Sequence, residues 1–115
     1  MKVLGIGTDL VEVKRIESFA KKTGALERIF AQEEIAYCLS RKNKYEHLAV
    51  RFAAKEAVFK ALPFDGVAFK NITVSNLENG RPEVRIADPR ADGLTIFISL
   101  SHTRHYATAQ VVVTQ

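Results

Sequence analysis

Residues 45–62, YEHLAVRFAAKEAVFKAL, leave this chain few ways to fold. At roughly 100° per residue, Leu48, Phe52 and Phe59 share one stripe of a helix, while Val50, Ala53, Ala54, Ala57 and Ala61 cover much of the other side. A helix apolar nearly all round is one that a core surrounds. Pro63 stops it, because proline cannot continue the backbone ladder. Yet the segment keeps Arg51, Lys55, Glu56 and Lys60. Glu56 and Lys60 are spaced i, i+4 at one border of the Phe stripe, and Arg51 and Lys55 share the opposite border. Glu56 with Lys60 is either a helix-surface pair contributing a few tenths of a kcal/mol or part of a site. A carboxylate on a mostly buried helix is costly unless paired, and a metal ion is one way to pair it.

The other segments supply what such a helix packs against. Residues 2–8 read as a short buried strand, and residues 9–22 shift to helical spacing, with Val13, Ile16, Phe19 and Ala20 on one face. Gly24 ends that helix; two short helices follow over residues 26–30 and 32–39, then a basic polar loop over 40–44. Beyond Pro63, strands over 72–77 and 83–86 flank Asn79-Gly80, a dipeptide suited to the positive φ angles of a tight hairpin. A second hairpin joins residues 94–100 to 106–113 through a loop at 101–105, with Ala107, Ala109, Val111 and Val113 alternating with more polar neighbours. The order predicts a single α+β domain over residues 1–115, a long central helix packed on a mostly antiparallel sheet.

Asp9 is the best second oxygen ligand for a metal at Glu56, because it follows Gly5-Ile6-Gly7-Thr8 at a strand end, where glycines permit close approach of another element or a ligand. Its competing role is to cap the next helix. The glycines do not make a dinucleotide fingerprint, since Leu10 stands where the third Gly belongs.

Seventeen Lys and Arg against thirteen Asp and Glu give a formal charge of +4, which attracts phosphates, nucleic acid or an acidic protein. With no Trp and three scattered Tyr, the chain lacks a stacking stripe for single-stranded nucleic acid, so that partner is not expected. Cys38 is the only cysteine, which excludes an internal disulfide and suits a reducing cytosol. No stretch approaches the length of a membrane span and the N-terminus lacks a signal pattern, so cytoplasmic residence is expected.

The stretches GIGTDLVEVKRI, RFAAKEAVFKAL, NGRP and SLSHTRHYATAQVVV together resemble the bacterial holo-acyl-carrier-protein synthases, the small trimeric class of phosphopantetheinyl transferases. The resemblance runs from Val3 to Val113. It implies the 4′-phosphopantetheinyl transferase fold and an enzyme of fatty acid biosynthesis. In that reaction a serine of apo acyl carrier protein attacks the β-phosphate of coenzyme A, giving holo acyl carrier protein and adenosine 3′,5′-bisphosphate. By the same resemblance Asp9 and Glu56 hold Mg²⁺, Lys60 lies beside the phosphates, and His102 lies near the coenzyme's adenosine phosphate. Asp9 or Glu56 would act as general base through a metal-bound water. Arg51 either contacts coenzyme A or orients a helix end. Arg15, with Lys22 and Arg28, would dock the acidic carrier protein. Coenzyme sites between the subunits of a homotrimer are implied as well.

The chain departs from the family after Leu62, where a Gly-Thr-Gly loop is usual and PFDGV stands here; only Gly66 remains for backbone contacts to the coenzyme. Gly80 and Pro82 keep the family's G-[KR]-P turn, which either supports a coenzyme site or shapes the hairpin. His105 has no motif, and His47 reads as structural or exposed. The competing function is a noncatalytic basic module that binds an acidic protein or nucleic acid, motivated by the net charge alone.

Overall fold

The computed structural model describes all 115 residues, Met1–Gln115. Strand β1 (Val3–Glu12) leads through helices α1 (Val13–Ala20), α2 (Ala25–Ile29) and α3 (Gln32–Leu39) to the long helix α4 (Lys44–Ala61). Strands β2 (Ile72–Asn76) and β3 (Pro82–Ile86) form one hairpin, and β4 (Thr95–His102) and β5 (Tyr106–Thr114) form another. The sheet order is β1-β5-β4, all antiparallel, with β2 and β3 as a separate pair. This is the expected α+β architecture of a long central helix on antiparallel sheets.

Packing of α4 on β1 and β5 builds the core. Ala107, Ala109, Val111 and Val113 of β5 point at the helix, and Ala49, Ala53, Ala54, Ala57 and Ala61 meet them; all are buried. Small residues on both sides let helix and sheet approach closely. The limit is reached at Gly5 and Gly7, where a Cβ would lie 2.0 Å from the Ala61 carbonyl oxygen and 1.9 Å from that of Ala57. The glycines therefore admit another element of the chain. They also set the register: Gly5 lies against Ala61 and Gly7 against Ala57, and Asp9, two residues on and on the same face, lies close enough to α4 for its charge to reach Glu56.

Three boundaries differ from the sequence reading. Residues 9–12 continue β1 instead of opening α1, because all four pair with β5, Asp9 opposite Ala109 and Glu12 opposite Tyr106. Asp9 is therefore no helix cap; Glu12 occupies that position and its side chain makes no capping bond. His102 is the last residue of β4, paired with Ala107, and the loop begins after it. At Asn79-Gly80 only Gly80 takes a positive φ, 86°. The Gly80 N–H donates to the Leu77 carbonyl and the Leu77 N–H to that of Arg81, a longer hairpin loop than a two-residue turn.

The outer face of the three-stranded sheet carries an open apolar patch. Ile6, Val112 and Phe97 lie side by side across the three strands, and Ile6, Leu10 and Phe97 are 73%, 67% and 48% exposed. No helix is long and apolar enough to cross a membrane.

Candidate active site

Asp9 and Glu56 come together where β1 crosses α4. Burial, and then the nearby Asp9 charge, hold the Glu56 carboxyl above its ordinary range, while Lys60 and Arg15 pull it back. The Lys60 ammonium donates to the Thr8 carbonyl at 3.0 Å and lies 3.4 Å from Asp9 Oδ1. The strand is fixed beneath it by Thr108, whose hydroxyl donates to the Asp9 carbonyl at 2.9 Å. Two carboxylates from facing elements, one of them costly to ionise, form a donor set that suits a small hard cation. Nowhere do three or more His, Cys, Asp or Glu side chains gather as a metal cluster. Most of an octahedral shell would thus fall to water and substrate oxygens.

A second constellation lies nearer the start of α4. Tyr37, His47, Arg51, Asn76, Arg81, Pro82 and His102 line a cleft of about 480 Å³. Arg51 is buried; its Nη2 donates to Asn76 Oδ1 at 2.6 Å, its guanidinium lies 4.4 Å from the Tyr37 ring centre, and its Nε has no partner. A buried guanidinium with spare donor capacity at a cleft wall suits an anion. Of the five residues expected at the coenzyme, the cleft unites Arg51, Pro82 and His102. Lys60 lies with Asp9 instead, and the Gly66 α-carbon, at φ 88°, faces open space. Residues 63–67 are held from another side, with Arg90 4.4 Å above the Phe64 ring.

His47 also lines this cleft. Its ring is half-buried, edge-on to Tyr37 at 5.9 Å and 5.6 Å from His102. Burial first, then the Arg51 charge, push its pKa down. Glu46, also unassigned by the sequence, reaches His102 at 2.9 Å.

Lys55 turns the other way and has a structural partner. Its ammonium is wholly buried, 2.7 Å from Glu34 Oε1, and donates to the Phe69 carbonyl at 2.9 Å and to that of Ile72. Glu34 accepts from the Val74 and Ala31 N–H groups. Burial pushes the Lys55 pKa down against the pull of Glu34. No sequence signal pairs these two residues, because the link runs between α3 and α4.

Arg15, Lys22 and Arg28 are all exposed, and none takes part in an ion pair. Arg15 lies close enough to Glu56 to influence its ionisation.

Fold and site together describe a small enzyme with an acidic pair at a helix–strand contact and a basic cleft apart from it. Residues 5–111 match the model of the 4′-phosphopantetheinyl transferase superfamily, and the chain belongs to that family. It is 46% identical to a holo-[acyl-carrier-protein] synthase of Thermodesulfovibrio yellowstonii, over 96% of this chain and 97% of that one. A holo-(acyl-carrier-protein) synthase of Bacillus anthracis in complex with CoA (3′,5′-ADP) superposes with a TM-score of 0.84 at 34% identity, covering 98% and 97% of the two chains. The Helicobacter pylori holo-[acyl-carrier-protein] synthase in complex with coenzyme A gives 0.83 at 33%, covering 95% and 99%.

Proposed function

We propose that this chain, a single phosphopantetheinyl transferase domain over residues 1–115, is a holo-acyl-carrier-protein synthase. It transfers 4′-phosphopantetheine from coenzyme A to a serine of apo acyl carrier protein. The observation that carries the reading is the Asp9, Glu56 and Lys60 cluster at the β1–α4 contact, in a chain of this family. The serine oxygen bonds to the β-phosphorus; the bond from that phosphorus to the bridging oxygen breaks, and its electron pair leaves with adenosine 3′,5′-bisphosphate. The serine proton passes to a base at the carboxylate pair.

Asp9 and Glu56 would hold Mg²⁺, which when bound supplies charge neutralisation and orientation at the pyrophosphate. Lys60 offers a compact ammonium to the leaving phosphate. Arg51, Pro82 and His102 would take the adenosine end, with His102 on its phosphate, and Gly66 would lie along the pantetheine side. Arg15, Lys22 and Arg28 form the docking surface for the acidic carrier protein. The open apolar sheet face supports a homotrimer. The separation of the acidic pair from the cleft supports a site shared by neighbouring subunits. The reading puts the protein in the cytoplasm, in fatty acid biosynthesis.

The test is intact-mass analysis of an apo acyl carrier protein incubated with this protein, coenzyme A and Mg²⁺, with and without chelator. A phosphopantetheine mass gain that chelator abolishes is expected. No gain across several carrier proteins, with the protein folded, would overturn the reading.

A further inference from the structure

We propose that Glu46 is a positioning residue that orients the His102 ring toward the coenzyme's adenosine phosphate. This rests on reading His102 as a contact of that phosphate. Glu46 Oε1 is 2.9 Å from His102 Nδ1, and the two side chains are 21% and 31% exposed, so the contact is partly shielded. His102 lines the basic cleft; Glu46 does not, and lines a separate depression with Lys44 and Arg104. The carboxylate therefore holds the ring from outside the binding space.

Proton bookkeeping gives the contact its meaning. An ionised carboxylate only accepts, so the proton between the two groups sits on Nδ1. That contact fixes the rotation of the ring and leaves Nε2 as the nitrogen free for a ligand in the cleft, whose wall His47 and Arg51 of α4, Arg81 at the β2–β3 turn and Tyr37 of α3 complete. Glu46 is the carboxylate that contacts this ring. The 56 residues that separate the two in sequence hid the pair from any local motif.

Calorimetric binding of coenzyme A and of 3′-dephospho-coenzyme A tests this. The intact protein should favour coenzyme A. Glu46→Ala frees the ring and should shrink that preference severalfold, and Glu46→Gln, which keeps a hydrogen-bond acceptor, should restore part of it. In steady state the loss should fall on KM for coenzyme A more than on kcat. If Glu46→Ala keeps the parent's preference, or weakens both ligands equally, Glu46 is only structural and the proposal fails. If His102→Ala keeps the preference for the 3′-phosphate, the phosphate reading itself fails, and this proposal with it.

Discussion

Burial and Asp9 both oppose ionisation of Glu56, and Lys60 and Arg15 offset them only in part. A folded-state pKa raised above the ordinary 4.5 stabilises the fold below that pH and withdraws the stabilisation as pH rises. Metal-free Glu56→Gln should therefore resist urea at neutral pH better than the parent, and Mg²⁺ should narrow the gap by binding the parent alone. The same variant should lose transfer activity by about 100-fold or more in the intact-mass assay. Cys38 gives a second pH prediction of the same sign. Burial lifts its thiol from 9.0 to about 11, so its contribution is complete below pH 9.0 and fades between 9.0 and about 11. At about 1.4 kcal/mol per unit, the loss amounts to about 3 kcal/mol. Urea midpoints across that window should fall steeply for the parent and less for Cys38→Ala. These two residues also mark what a sequence discloses at this scale. Glu56 was legible because a mostly buried helix keeps a carboxylate and because RFAAKEAVFKAL matches a family motif. Glu46, Glu34 and His47 were not, since each acquires its role from a residue brought alongside by the fold.

At the scale of elements, the site depends on how closely α4 lies on β1. Gly7→Ala would drive a Cβ into the Ala57 carbonyl at 1.9 Å, and backbone cannot yield as a flexible side chain can. The expected cost is about 1–3 kcal/mol or more, read as a fall in Tm. Transfer activity should fall with it, because any shift of the helix moves Glu56 and Lys60 away from Asp9. The Glu34–Lys55 pair holds the other side of α4, tying it to α3, to the turn at Phe69 and to the base of β2. Lys55→Met should destabilise by about 3–5 kcal/mol, because it strands a buried carboxylate. Adding Glu34→Gln should cost much less than it does alone, a coupling that a double-mutant cycle in urea measures. The helices and hairpins were legible because apolar periodicity and Gly or Pro breakers are local. The end of β1 was not: residues 9–12 fit a helical pattern joined to Val13 and Ile16, and only pairing with β5, about a hundred residues on, makes them a strand.

For the whole molecule, the surface has two features that no interior demand explains: exposed cations on α1 and α2, and the open apolar face of the sheet. If Arg15 docks an acidic carrier, Arg15→Glu should raise KM for the carrier protein, and the parent's own KM should climb with salt as the field is screened. The sheet face leads further. Ile6→Glu with Phe97→Asp puts two charges into one row of that face, on either side of Val112. If that face closes the proposed trimer, the parent should sediment at three times the 12.8 kDa chain mass and the variant should shift toward a single chain. A trimer whose sites are shared makes a sharper demand. Glu56→Gln removes the acidic end and His102→Ala the cleft end, and neither variant alone retains an intact site for low concentrations of coenzyme A. Refolded together, mixed trimers hold some interfaces where an intact acidic pair faces an intact cleft. The mixture should therefore exceed the summed activity of the separate variants, measured at low coenzyme A. If each chain built its own complete site, mixing would recover nothing, because every subunit would still carry one defect.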